Sequence, residues 1–409
     1  MKEKMNIRRL VISAMAGVAL AAGSTAAKAE KTITLAAFAD YTGPYADIMP
    51  LLQGSRDKAV EWWNDTVGKE MGVSLKLKIY DTRYDTAQTA SLWPGIKSEL
   101  NPPAIFGLGG PDVAALQQRL PDDKVPSLMG TAAYGFAWKE NPWILNPRAT
   151  YAHEASAFLQ WYAKQKGGAV KVGLVGSEAS PAYVDMIKGV EAFAEKSSDI
   201  EVAGVLLTTV QPADLTSQVR RLVKKGAEVM IIQTNTSMVV AVKRALQALG
   251  RSDIPVMTSS HNGLPASGRA LGDVKQMEGD FEAYGMAIPS PESVDAYNFY
   301  TMLKDKYGLN VPWNVLSVQG IAQTLFTVKA LEKTIKRVGA DNVTGEEVRK
   351  TLMTEKITSE EMNGFYSSLS FNEGGPFPTE GMSINIGTIK DGKYAVAATG
   401  IPVPAIEKW

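Results

Sequence analysis

Residues 104–118 read AIFGLGGPDVAALQQ: a short apolar run, a cluster of glycines, then apolar residues at helical spacing. A strand that turns through glycines into a helix is the repeating unit of a parallel α/β sheet. The stretch also resembles the dinucleotide fingerprint G-x-G-x-x-G, whose glycines let the backbone approach a pyrophosphate at a helix start. Gly107 and Gly109 fill the first two places, but Asp112 stands in the third. A carboxylate there faces the phosphate it should receive, and no acidic residue ends the next apolar run, VPSLMG, to hold a ribose hydroxyl. The motif therefore fails twice. What remains is a helix start with free backbone N–H groups and a positive dipole end, suited to a small anion such as a carboxylate.

Working outward, the same alternation recurs. ITLAAF (33–38) precedes a helical pattern near 45–66, SLKLKIYDT (74–82) precedes another near 85–100, and VPSLMG follows the quoted stretch. After about Thr150 the series restarts, with helix-like stretches near 151–166, 182–196, 214–225 and 237–249. Between them lie KVGLVG, IEVAGVLLTT, EVMIIQT and IPVMTSS. Two consecutive α/β series of similar size predict two similar lobes. Residues 289–354 read as mainly helical, and the tail from Gly364 alternates in short segments around IKDGKY, where Asp391-Gly392 is a strong hairpin signal.

The first thirty residues carry Lys2, Lys4, Arg8 and Arg9, an apolar stretch from Leu10 to about Ala22, then Ala27-Lys28-Ala29. This is a secretory signal peptide, expected to be cleaved after Ala29, so the mature chain is exported. Its loss removes five basic residues and one acidic residue from a balance of 43 against 43, leaving 38 against 42. A mildly acidic chain without a basic run argues against nucleic acid and against anionic membrane surfaces. No later stretch approaches the roughly 18 apolar residues a membrane span requires, so no direct membrane insertion is expected. The chain has no cysteine, which excludes thiol catalysis, and the size of the chain lets it fold by burial alone.

His153 and His261 are the histidines of the chain. His153 begins an amphipathic stretch and reads as a helix-end residue, whereas His261, in SSHNG just past a strand, can face a ligand. Neither belongs to H-E-x-x-H, and neither G-x-S-x-G nor G-x-x-x-x-G-K-[ST] occurs. No enzyme, metal or cofactor is expected. What recurs instead is a set of six polar or glycine-containing turns at the C-terminal ends of strands: DYTGPY, GLGGP and GTAAYG in the first series, GSEASPAY, TNTS and SSHNG in the second. That edge of an open α/β sheet is where ligands bind, and three turns from each series predict a cleft between lobes.

The run from ITLAAF through TGPYA to SRDKAVEWWN resembles the opening of the branched-chain amino-acid-type, Leu/Ile/Val-binding-like periplasmic substrate-binding proteins of ABC transporters. VPSLMGTAA, TTVQPADLTSQVRRLVKKGAEVMIIQTN, AVKRALQALG and FNEGGPFPTEGMSINIGTIKDGKYAV resemble that family in the same order, over residues 32–400. The resemblance implies an α/β, two-lobed type I periplasmic-binding fold, each lobe a parallel-rich sheet flanked by helices, with three interlobe crossings near 149, 284 and 360. The lobes expected are 30–148 plus 285–359 and 149–284 plus 360–409. It implies a monomeric solute receptor that closes on a small-molecule ligand and delivers it to a membrane permease. The carboxylate grip carried over from the family falls on Gly109, Gly110, Thr131 and Ala132. Tyr41 and Tyr45 wall the cleft from the first lobe, Tyr134 opens the aromatic run YGFAWKENPW (134–143) that would suit a ring, and Ser180, Tyr183, Asn235 and Thr236 close over the ligand from the second. Amino-acid binders of this family hold the ligand ammonium with an acidic residue where this chain has Ser260, His261 and Asn262. Either Glu178 takes over that task or the ligand has no ammonium, which leaves an amino acid and an aromatic or aliphatic acid both open. An exported enzyme using His261 as its base, and a sensory module for a membrane receptor, are the rival expectations.

Overall fold

A computed structural model describes residues 31–131, 142–372, 378 and 381–406. In the first half, β1 (Lys31–Ala39), β2 (Val73–Asp81), β3 (Ile105–Gly107), β4 (Ser127–Met129) and β5 (Ile144–Leu145) pair in parallel in the order β2-β1-β3-β4-β5. Sequence pattern follows position in the sheet. The interior strand β1 buries LAAFA without interruption, whereas the edge strand β2 alternates as VSLKLKIYD. Between them run α1 (Met49–Trp63), which passes through a π-turn at Asn64–Gly68 into the short α2 (Lys69–Met71), then α3 (Thr86–Leu100), α4 (Gly110–Leu116) and α5 (Leu120–Asp123).

The second half contributes α6 (Tyr151–Lys166), β6 (Val170–Gly176), α7 (Pro181–Ala194), β7 (Ile200–Leu207), α8 (Thr216–Lys224), β8 (Val229–Ile232), α9 (Thr236–Ala248), β9 (Val256–Thr258), α10 (Leu264–Leu271) and β10 (Phe281–Tyr284). The chain then makes α11 (Val294–Tyr307), α12 (Val315–Val338) and α13 (Gly345–Thr354), and ends in β11 (Ser383–Lys390) and β12 (Lys393–Pro402). The second sheet has the order β12-β11-β10-β9-β8-β6-β7, parallel except for the final hairpin. Asp391 and Gly392 join that hairpin with φ of 53° and 70°, the two left-handed residues of a type I′ turn.

Each sheet with its helices forms a lobe, and the chain passes between the sheets three times: from β5 to α6, from β10 to α11, and from α13 to β11. The returning α12 packs on α1 and β4, so the helical region belongs with the first sheet. Gly320 permits that approach, because a Cβ there would stand 2.5 Å from the Leu52 carbonyl oxygen. A buried polar staple fixes the same contact. Gln323 Oε1 accepts from Arg56 Nε at 3.0 Å and Nη2 at 2.6 Å, while its amide nitrogen donates to the carbonyls of Gly107 at 2.9 Å and Leu128 at 2.8 Å. One side chain thus ties α1 and α12 to the ends of β3 and β4, where the first lobe's turns begin.

Two departures from the sequence expectation have a physical cause. The helical spacing in PDVAALQQ runs on to Gln118, but the helix stops at Leu116 and a separate α5 opens at Leu120-Pro121. β5 and β10 carry two and four residues, too few to establish a period of two in the sequence.

Candidate functional site

The turns at the C-terminal strand ends meet between the lobes. In the first lobe, Asp40 organises TGPY by accepting from the N–H groups of Gly43 at 2.6 Å and Tyr45 at 2.8 Å. Burial pushes its carboxyl up to about 6. Tyr84 enters from the β2–α3 turn, where Arg83 and Tyr84 take φ of 56° and 52° in succession. Left-handed non-glycine residues cost roughly 1–3 kcal/mol each and persist only where surroundings hold them. Here Asp81 does so, accepting from the Arg83 and Tyr41 N–H groups at 3.1 Å and from the Thr42 hydroxyl at 2.8 Å. The strained turn aims the Tyr84 ring at Tyr45, with centroids 4.6 Å apart.

From the second lobe, the Tyr183 hydroxyl on α7 bonds the Tyr45 hydroxyl and lies 3.1 Å from that of Tyr84. His261, in the turn after β9, lies against the rings of Tyr45, Tyr151 and Tyr183 at 5.8, 5.2 and 6.1 Å between centroids. Its Nδ1 is 3.2 Å from the Gln233 amide nitrogen and its Nε2 2.8 Å from the Tyr151 hydroxyl. With the Gln233 amide donating to Nδ1, Nε2 carries the ring proton and donates to Tyr151. The result is a cage of four tyrosines and one imidazole that closes across the cleft.

Burial, assisted by the Arg148 charge, holds His261 down to about 3, and burial holds His153 down to about 4. Both rings are neutral at pH 7. Between their folded values and the usual 6.5, the unfolded chain binds protons that the native chain refuses, so stability falls as pH falls through that window. Asp40 and Asp112, each raised from 3.8 to about 6, act oppositely between those values. His261→Gln should therefore remove about 2 kcal/mol of the stability lost between pH 7 and pH 5, a figure from the cited linkage relation. Urea unfolding of both proteins at the two pH values measures this, and an unchanged acid loss would exclude a neutral buried imidazole.

The glycine loop departs from its expected use. The Asp112 carboxylate, at the third place of the fingerprint, takes the N–H groups of Leu108 at 2.8 Å and Gly109 at 3.0 Å. The anion at this helix start is the chain's own, so Gly109 does not offer its N–H to a ligand. The glycines instead make room. A Cβ on Gly109 would stand 2.6 Å from Tyr84 Cε2, and one on Gly110 would strike the Ser180 hydroxyl of the opposite lobe.

The other candidates divide clearly. Tyr45, Tyr183 and His261 join the cage, and the buried Thr131 adjoins Tyr151 at its edge. Ser180 lies beside Tyr84 with its hydroxyl buried. Asn235 caps α9 through the Met238 N–H and reaches the Pro44 carbonyl across the cleft at 3.5 Å, while Thr236 faces Asp47. Asn262 organises its own loop: its amide nitrogen donates to the Thr234 carbonyl and its oxygen accepts from the N–H groups of Ser259 and Gly263. Tyr41 is 40% exposed and outside the cage. Glu178 is exposed on the β6–α7 turn, where its carboxylate stays hydrated instead of facing the buried cluster. Ala132 and Tyr134 lie outside the described residues. Sequence reasoning missed Tyr84, Tyr151, Gln233 and Arg148. Tyr84 alone had a usable signal, since DTRYDT ends a strand on the ligand-binding edge.

A family model described as periplasmic binding protein matches residues 32–379. The chain belongs to the periplasmic binding protein family. Its fold is that of a branched-chain amino acid ABC transporter protein from Thermus thermophilus with bound valine (TM-score 0.77, 18% identity, covering 90% of this chain and 96% of that one). A fatty acid ABC transporter substrate-binding protein from Thermomonospora curvata is similar too (TM-score 0.72, 22% identity, 91% and 95%). So is a solute-binding protein from R. palustris in complex with 4-hydroxybenzoate (TM-score 0.72, 19% identity, 92% and 97%). No curated protein matches the sequence. Among the described residues no helix is long and apolar enough to cross a membrane, and no cluster of side chains is suited to a metal ion.

Proposed function

We propose that this binding protein captures a small ring-bearing carboxylic acid that lacks an ammonium group, in preference to an amino acid, and passes it to an ABC-type permease. In this reading the chain is exported, cleaved after Ala29, and works in the periplasm. Its lobes, 30–148 with 285–359 and 149–284 with 360–409, hinge about the three crossings, and a ligand that touches both favours the closed arrangement.

The observation that carries the reading is the cage itself. Aromatic walls with hydroxyl and imidazole edges suit a planar guest, by stacking and edge contact. An ammonium would need a free carboxylate, because burying it unpaired is costly. The buried carboxylates nearby are spent: Asp40 and Asp112 on backbone N–H groups, Glu154 on the Gly285 N–H and Arg148, Glu282 on Tyr284, Tyr394 and the Leu264 N–H. The 4-hydroxybenzoate held by the R. palustris protein of the same fold supports the class. The exported-enzyme alternative asks His261 to act as a base, and a ring held down to about 3 is a weak one at neutral pH.

A thermal-shift comparison tests the reading on protein unfolded and refolded to strip carried-over solute. 4-Hydroxybenzoate and benzoate should raise the melting temperature, consistent with about 2.7 kcal/mol at a hundredfold excess over Kd. Leucine and valine should not. A shift confined to the amino acids would overturn the assignment.

A further inference from the structure

Arg148 stands in the first passage between the sheets, with its side chain 1% exposed. Nη2 donates to Ser260 Oγ at 2.7 Å. Nη1 forms an ion pair with Glu154 Oε1 at 3.4 Å but no hydrogen bond, and Nε has no hydrogen-bond partner among the described residues. Glu154 Oε1 is already engaged by the Gly285 N–H at 2.8 Å. A guanidinium carries five N–H donors and keeps its charge, so burying it with so few acceptors costs more than a structural role requires. Its surroundings add to the imbalance. Among the described residues, the buried Tyr366 hydroxyl, within reach of the Arg148 and Glu154 charges, has no hydrogen-bond partner, and neither has either amide atom of Asn146, two residues before Arg148. Arg148 Nε and Nη1, Tyr366 Oη and Asn146 Nδ2 make four orphaned donor atoms against one orphaned pure acceptor, Asn146 Oδ1. Such a set asks for an acceptor-rich guest. The guanidinium charge also reaches His261 and Tyr151, which connects this cluster to the cage.

We infer that Arg148, supported by Tyr366, binds the carboxylate of the transported acid at the hinge end of the cage. This deepens the proposed function and rests on it. The glycine loop, which the family resemblance favoured for this task, has its N–H groups at Leu108 and Gly109 filled by Asp112. The planar fork of arginine matches a carboxylate through two parallel N–H···O bonds, and a neutral amide in the same place offers one acceptor and brings unwanted donors. Recognition of the anion from the hinge also places the charge where both lobes converge, so the ring is left to the tyrosines on either side.

The test is calorimetric titration of the mature protein, the Tyr366→Phe variant and the Arg148→Lys variant with 4-hydroxybenzoate and with 4-hydroxybenzamide. Wild-type protein should bind the acid at least a hundredfold more tightly than the amide. Tyr366→Phe removes a hydroxyl that holds nothing in the protein, so its melting temperature should stay put while acid affinity drops roughly tenfold and amide affinity does not move. Arg148→Lys should weaken the acid roughly a hundredfold and collapse the preference for it; if that variant does not fold, Tyr366→Phe decides alone. Equal wild-type affinity for acid and amide, or acid affinity kept within twofold in Tyr366→Phe, overturns this inference and leaves the proposed function standing. Failure of wild-type protein to bind the acid overturns both.

Discussion

Gly110→Ala is expected to weaken solute binding roughly tenfold to a hundredfold while leaving the melting temperature of the solute-free protein nearly unchanged. Gly110 opens α4 in the first lobe, and its Cα faces the second lobe so closely that an added methyl collides with Ser180 Oγ and comes within 3.2 Å of Ala182 Cβ. Overpacking of this kind costs about 1–3 kcal/mol. In the proposed hinge motion, separating the lobes relieves the clash, so the cost falls on closure and not on folding. A ligand shifts a two-state equilibrium only by its differential affinity, and each 1.4 kcal/mol removed from the closed state weakens apparent binding tenfold. Ser180→Ala removes the struck hydroxyl, and the double variant Gly110→Ala/Ser180→Ala should recover most of the loss. Titration of the four proteins with 4-hydroxybenzoate closes the cycle. A single variant that binds normally, or a double variant no better than Gly110→Ala, would mean that the lobes do not approach at this point when ligand is held.

That prediction inverts the first meaning suggested by AIFGLGGPDVAALQQ. Strand, turn and helix were all legible there, because apolar periodicity and glycine punctuation are local signals. Asp112 was correctly seen to spoil a phosphate site. What could not be seen is that the same carboxylate occupies the helix start itself, since that depends on a side chain folding back over four residues to N–H groups it has no periodic relation to. The hairpin at Asp391-Gly392 was readable for the opposite reason: the two-residue turn dictates its own backbone angles. The cage was half legible. Tyr45, Tyr183 and His261 lie in turns that the strand-end rule picks out, whereas Tyr151 reads as the first residue of an amphipathic helix and Gln233 as the end of a strand. Arg148 was invisible because its meaning lies in what its guanidinium lacks, and a sequence does not display missing acceptors. Glu178, one of the two alternatives left open for an ammonium, is legible as a charge in the right turn, whereas its exposure there is not.

Gln323→Leu should destabilise the protein by about 3–5 kcal/mol, the largest stability effect expected of a single near-isosteric change here. Nothing in VQGIAQTLF distinguishes Gln323 from a solvent-facing helix residue, yet it is fully buried. Its carbonyl accepts two bonds from Arg56 and its amide satisfies the carbonyls at Gly107 and Leu128. Arg56 is buried too, and although burial lowers it to about 10, it stays charged at neutral pH. Leucine would leave that charge with only the Phe38 carbonyl at 3.3 Å and Gln53 Oε1 at 3.2 Å, and would strip a partner from each of two backbone carbonyls. Removing the charge as well should restore part of the loss, because replacing a whole buried polar network is less costly than breaking it. Arg56→Met/Gln323→Leu is therefore expected to be more stable than Gln323→Leu by 1 kcal/mol or more, a coupling of the size found for directly bonded side chains. Denaturant unfolding of the single and double variants measures it, and a Gln323→Leu loss below about 1 kcal/mol would show that the staple contributes little. The consequence reaches the cleft. Gly107 and Met129 end the two strands from which the glycine loop and the Thr131 turn depart, so the glutamine that closes the core of the first lobe also sets the height at which those turns meet the second.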